Sequence, residues 1–458
     1  MALGGGTFLV QNKKLPGSYI NFVSLPTASA TLSDRGTVTM PLALDWGPDD
    51  AVFTVENGDF IKNSMKYFGY DYTSDKLKGL RDLFMNAITL HAYRLNGGGK
   101  KAANTYATAK YSGTRGNDLI TVVAVNVDEP EMFDVSTYMG KDLVETQTVA
   151  GMKDLLDNDY VTWNLTVQTE AEGVTQEAPV VLQETAWMPL EGGTNGEVTG
   201  GSYQKYIDAI EKYTFNAMGV VTTDDMIKAL FSAFVKRMRD EVGMKFQLIL
   251  HQYTKPDYMG AVSVENICID GAQRVDGEMV YPDEAALVYW VTGVEGGIAV
   301  NKSAMNKKYD GEYTVNVDYT QKDLENAIDT GKFIFHQVGD EVRVLEDINT
   351  MVTTTDTMGN IFKSNQTMHV CDQIANDVAV VFNTKYLGVV PNDADGRASL
   401  WADIVKLHQQ LREIRAIENF EDSDITVSQG ETKMAVVVED AITVVNAMGK
   451  LYMTVTVM

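Results

Sequence analysis

The sequence predicts an α+β multidomain protein: a mixed-sheet α/β core with a C-terminal α+β domain, an inserted small all-β domain, and extended N- and C-terminal arms. Three observations carry this. The chain has 458 residues, more than one ordinary hydrophobic core holds. Between residues 102 and 190 its texture changes to short strands separated by turns. Its last stretch, Leu451–Val457, alternates cleanly: Leu451, Met453, Val455 and Val457 point one way and Tyr452, Thr454 and Thr456 the other. That period of two marks a half-buried strand, which needs a sheet to join, its own domain's or a neighbouring molecule's. The divisions read as 1–25, an N-terminal arm; 26–101, the first part of the core; 102–190, the β-rich insertion; 191–331, the second part of the core; 332–448, the C-terminal domain; and 449–458, the terminal arm strand.

In order along the chain, Tyr19, Ile20, Asn21, Phe22 and Val23 have strand character but no hairpin partner nearby, and read as an extended arm that pairs elsewhere. Val38–Leu44 is a strand ended by the turn at Trp46-Gly47-Pro48. Asp75–Asn86 is a helix with Leu77, Leu80, Leu83 and Phe84 inside, and Ile88–Leu95 a strand stopped by Gly97-Gly98-Gly99. The insertion holds strand-like runs at Thr105–Lys110, Leu119–Asn126, Glu131–Tyr138, Val144–Val149 and Val161–Val167. It ends in a glycine-rich linker, Leu190–Gly201.

Beyond the linker, Tyr203–Tyr213 is a helix. Asp224–Val242 is a stronger one, with Ile227, Leu230, Phe231, Phe234, Val235 and Met238 on one face, a cap at Thr223 or Asp224 and a stop at Gly243. Strands Lys245–His251 and Val262–Ile267, an apolar helix of small residues at Ala285–Asn301, and a capped helix at Thr320–Thr330 complete the alternation that implies a mixed sheet covered by helices. In the last block, Phe333–Val338 and Val342–Glu346 form a hairpin through Gly339-Asp340. Asn365–Asn383 is a helix with Val370, Ile374, Val378, Val381 and Phe382 inside. Arg397–Ile417 is another, with Leu400, Ile404, Leu407, Leu411 and Ile414 inside and Lys406, Arg412, Glu413 and Arg415 outside. Ile425–Val427 and Met434–Val438 are strands.

A net charge of -25 opposes nucleic acid, whose phosphates need Lys and Arg, and opposes anionic membranes. No run suits direct membrane insertion, and the N-terminus has no secretory signal, so the protein is expected to be made in the cytosol. Its two cysteines, Cys268 and Cys371, sit far apart in apolar surroundings and read as free thiols.

Catalytic chemistry is not written in the sequence. None of the five histidines lies in a zinc-type spacing. The acidic turn Asn392–Gly396 resembles part of a calcium loop, but the register puts Pro391 and Ala402 where Asp and Glu are required; it reads as a turn leading into a helix. The glycine clusters lack a phosphate-loop Lys-Ser/Thr, and no nucleophile elbow or dinucleotide fingerprint is present. The reading is of a non-enzyme with no catalytic, cofactor-binding or metal residues.

An ordered set of stretches resembles the contractile tail sheath proteins of myophage-like particles, the sheath family of Bacillus and Clostridium prophage tails and phage-tail-like bacteriocins. The set runs through Pro16–Asn21, Gly36–Val38 on through Trp46–Pro48, Ala92–Leu95, Ala109–Asp118, Tyr289–Gly293 leading to Val300–Ser303, Leu345–Thr350, Asn392–Arg397, Ala416–Phe420 and Ala447–Met453. The resemblance implies a homo-oligomer of stacked rings or a helical lattice around a tail tube protein, with baseplate and tail terminator proteins as further partners and assembly in the bacterial host cytoplasm. It implies that the C-terminal domain lies innermost, that the β-rich insertion lies outward, and that contraction from a metastable extended state needs no nucleotide. Both arms, Tyr19–Val23 and Leu451–Val457, would add strands to neighbours' sheets. The set departs from the family at Gly449, where an acidic residue is implied before Lys450. The charged face with Lys406, Arg412, Glu413 and Arg415 is either a tube contact or an ordinary solvated face. A non-polymerising tail adhesion protein is the alternative, with arms folded back on their own chain.

Overall fold

The computed structural model of the chain describes residues 30–458, apart from 172, 173 and 277; Tyr19–Val23 lies outside the described residues. Two compact units emerge. The larger holds Asp34–Asp372 with Val445–Met458, the smaller Gln373–Val444 with the described residues up to Ser33.

The larger unit starts with β1 (Thr37–Leu42), β2 (Val52–Glu56), α1 (Asn57–Phe68), α2 (Lys78–Phe84) and β3 (Thr89–Arg94). A β-rich stretch follows: β4 (Ala107–Ala109), β5 (Leu119–Val125), β6 (Phe133–Met139), β7 (Asp142–Val149), β8 (Val161–Trp163), β9 (Thr166–Ala171), β10 (Val174–Pro179) and β11 (Thr185–Pro189). Then come α3 (Gly200–Ile210), β12 (Ala217–Val220), α4 (Asp225–Arg237), β13 (Gln247–His251), β14 (Ala261–Val264), the short pair β15 (Gln273–Val275) and β16 (Glu278–Val280), α5 (Leu287–Gly297), α6 (Gln321–Asp329), β17 (Phe335–Val338) and β18 (Glu341–Val344).

The central sheet runs β14-β13-β12-β1-β3-β2, parallel except for the antiparallel edge strand β2. Helices cover both faces, so β12, β13 and β14 are buried at every position. Their sequences are accordingly continuous apolar runs rather than alternating ones. The mixed-sheet fold class read from the sequence is the one observed.

α5 packs against both α2 and the sheet because its small residues permit close approach. A Cβ on Gly293 would strike the Leu83 carbonyl, and one on Gly296 would strike Val38. Trp290 of the same helix is fully buried and meets Tyr309 and Phe335 edge-on, each at 5.4 Å. Asp224 caps α4 by accepting from the Met226 amide at 2.8 Å, and Gly243 closes the following turn at φ 94°. The β-rich stretch builds an antiparallel sheet, β11-β5-β6-β7, in which β5 alternates buried and half-buried residues.

α7 (Asn365–Val381) starts in the larger unit and continues into the smaller, which adds α8 (Ala394–Glu413), β19 (Ile417–Glu418), β20 (Ile425–Gln429), β21 (Val436–Asp440) and β22 (Thr443–Val444). Two expectations are corrected here. Ile374 and Val378 of α7 are only half-buried, while Gln366, Thr367, His369, Asp372, Gln373 and Asp377 are buried; the inner face of this helix is polar because it packs on polar partners. α8 ends at Glu413, four residues before the predicted end. Ile414 is exposed, and Arg415 takes a left-handed conformation at φ 61° that breaks the helix.

Candidate inter-subunit interface

The C-terminal segment is fastened at its root and bare at its tip. Gln366 holds the root like an extra peptide group: its Nε2 donates to the Val445 carbonyl at 3.1 Å, and its Oε1 accepts from the Ala447 amide at 2.9 Å. Thr367 and Asn446 pair beside it at 3.2 Å. Past Met448 every residue is exposed and none belongs to a strand. Leu451, Met453, Val455 and Val457 are 86%, 75%, 70% and 89% exposed. The predicted strand Leu451–Val457, with Tyr452, Thr454 and Thr456 on its other side, is therefore not formed among the described residues. The alternation is real, but no sheet among the described residues receives it.

The smaller unit offers an unfinished sheet. β20 and β21 pair only with each other among the described residues, in the register Val427↔Val438, which leaves each strand one open edge. Their hairpin rests on α8 through Ile404, Val405, His408 and Trp401. The first three are buried, and Trp401 Nε1 donates to the Ile425 carbonyl at 2.9 Å. His408 Nε2 stands 2.9 Å from Asp440 on β21. A groove of about 460 Å³ follows the start of β20, lined by Ala394, Arg397, Ala398, Trp401 and Ile425–Val427. The two alanines of α8 keep it open. Nearby, Met434 is 92% exposed and Val437 45%.

Asp393 caps α8, accepting from the Gly396 amide at 2.8 Å. The acidic turn is thus a helix start, as its spacing predicts. Among the described residues no group of three or more His, Cys, Asp or Glu could hold a metal ion. No helix of the described residues is long and apolar enough to cross a membrane.

The charged residues expected on one helical face separate. Lys406, Arg412, Glu413 and Arg415 are all exposed. Arg412 donates to the Phe420 carbonyl at 3.0 Å and so ties the chain reversal that follows α8. Arg415 sits on that reversal rather than on the helix. The open β20–β21 edges and the Gln366 clamp were not identified from sequence. The hairpin strands themselves carried the signal for the first; nothing local marks the second.

Four family models match in succession: the tail sheath protein Gp18 domain III N-terminal region at 35–95, the phage tail sheath protein beta-sandwich domain at 96–195, the phage tail sheath protein central domain at 196–350, and the phage tail sheath C-terminal domain at 357–458. The phage-like element PBSX protein XkdK of Bacillus subtilis is 32% identical over 99% of this chain and 100% of its own. The crystal structure of a sheath tail protein from Desulfitobacterium hafniense superposes with a TM-score of 0.77 at 34% identity, covering 94% of this chain and 97% of that one. The helical sheath of the anti-feeding prophage in its contracted state shares the fold at a TM-score of 0.55 and 11% identity, over 97% of this chain and 99% of that one. The chain belongs to the phage tail sheath protein family.

Proposed function

We propose that this chain polymerises into a contractile sheath by donating its terminal arms to neighbouring copies. The observation that carries the reading is the Leu451–Val457 segment: strand-patterned, apolar on alternate positions, rooted by Gln366 and exposed to its tip. An exposed alternating segment and an unfinished two-stranded sheet on the same molecule are complementary, because strand addition satisfies the backbone of both. The β20–β21 hairpin is the acceptor we assign, with the groove by Ala394, Ala398 and Trp401 taking side chains of the incoming strand. Tyr19–Val23 is the second donor arm.

In this reading the sheath surrounds a tail tube protein, is bounded by baseplate and terminator proteins, and contracts from a metastable extended state to drive the tube through a cell envelope. It performs no catalysis; the free energy is stored in assembly. The subunit is made and assembled in the bacterial host cytoplasm. Lys406, Arg412, Glu413 and Arg415 form the tube-facing set.

A cysteine pair tests the exchange. With Val455→Cys and Val427→Cys in one chain, assembled material should form intermolecular disulfides under mild oxidation, whereas either single substitution should not. Cross-linking only within a chain would favour arms folded back on their own molecule, as a monomeric tail adhesion protein would have.

A further inference from the structure

Five polar side chains meet in the interior of the larger unit: Arg35, Gln247, Glu295, Asp347 and His369. Glu295, on the last turns of α5, is 0% exposed. Asp347 and its surroundings are those of an ionised carboxylate. Its Oδ2 accepts from Ser303 Oγ at 2.8 Å and from the Ala304 amide at 2.9 Å, and its Oδ1 accepts from Asn365 Nδ2 at 2.9 Å. Glu295 is the opposite case. Neither of its oxygens accepts from a donor, although its carboxyl lies within hydrogen-bond reach of the Asp347 carboxylate and His369 Nε2 stands 3.0 Å from Oε2. That nitrogen lies 2.8 Å from Gln247 Oε1, and His369 Nδ1 is unpartnered.

The charges balance with Glu295 and His369 both neutral. Arg239 and Asp372 neutralise each other through two hydrogen bonds, at 2.6 and 2.7 Å. Arg35 donates to the backbone carbonyls of Glu295, at 2.6 Å, and Ile298, at 3.0 Å; its charge acts on Asp372 and Glu295, and with Arg239 it balances the two carboxylates Asp372 and Asp347 across the cluster. A second carboxylate here would be a buried anion with no donor of its own. A neutral imidazole likewise fits a ring nitrogen left without a partner.

We propose that Glu295 is a buried proton-binding site: folding of the larger unit captures one proton on its carboxyl, beside an ionised Asp347 and a neutral His369, and neutral or alkaline pH works against that fold by removing it. Burial, then the Asp347 charge, holds Glu295 well above its ordinary 4.5. Burial holds His369 well below 6.5, with the Arg35 charge adding to it. Burial also lifts Asp347, while hydrogen bonds from Ser303, the Ala304 amide, Asn365 and the Glu295 carboxyl draw it back down. Because the folded state keeps a proton that the unfolded chain sheds above the ordinary value, this contribution to stability is complete at acid pH and declines as pH rises.

Glu295→Gln copies the neutral carboxyl in shape and cannot ionise. In the full-length chain, its unfolding temperature should match the parent's at about pH 5 and exceed it by roughly 2 °C or more at about pH 8. Equal or lower values across that range would overturn the proposal. An independent readout is the proton count on unfolding at neutral pH, taken by calorimetry in buffers of different ionisation enthalpy. The parent should release one more proton than Glu295→Gln. An unchanged count, or a loss of the proton with Asp347→Asn instead, would overturn the assignment to Glu295.

Discussion

His251 lies at the end of β13, 2% exposed, with Nδ1 unpartnered. Burial, with the Lys228 charge as a lesser cause, pushes it down to about 4 from 6.5. The folded state therefore keeps it neutral where the unfolded chain takes a proton, and the stability tied to it is lost as pH falls from 6.5 towards 4. His251→Gln removes this titration. The parent's stability relative to the variant should fall by roughly 3 kcal/mol between neutral pH and about pH 4, measured by urea unfolding at each pH. This dependence has the opposite sign to that of Glu295, so the two are separable in one series. Neither was legible in the sequence. His251 reads as one polar residue in an apolar strand, and the Glu295 cluster draws its members from positions 35, 247, 295, 347 and 369, which no local pattern connects.

At the scale of elements, the turn Asn392–Gly396 gives the clearest prediction. Asp393 holds the first turn of α8 through the Gly396 amide, so Asp393→Ala should cost about 1 kcal/mol. Calcium should leave the thermal midpoint of the parent unchanged, since the turn is a cap. This element was readable because capping is a local device. The α4 stripe was readable for the same reason: its spacing and its cap are within one helix. α7 was read in part: Val370 and Val381 are buried as expected, but Ile374 and Val378 are only half-buried because much of the inner face is polar. β2 and α1 gave little signal. α1 has no side-chain cap at Glu56, carries Gly58 in its first turn, and departs from helical geometry at Asn63. The Leu451–Val457 pattern was readable, but its partner was not, because a period of two specifies a face and not the sheet that covers it.

At the scale of the whole molecule, the separation of Arg412 from the other charges sharpens the tube-contact proposal. Reversing Arg412 would also disturb the Phe420 reversal, so Lys406→Glu with Arg415→Glu is the cleaner probe. If this surface faces the tube, the double variant should still polymerise but should lose co-sedimentation with the cognate tube protein. Retained co-sedimentation would identify an ordinary solvated face. Against the acidic balance of the chain, -25 overall, removal of these two positive charges is measurable through salt dependence.

The central claim is that the exposed C-terminal arm builds the polymer. The most direct measurement is negative-stain electron microscopy of the purified chain beside a variant lacking Leu451–Met458, with far-ultraviolet circular dichroism on both. The account predicts hollow, striated cylinders for the parent, and dispersed, folded subunits for the truncated chain. Cylinders that persist without residues 451–458 would contradict it.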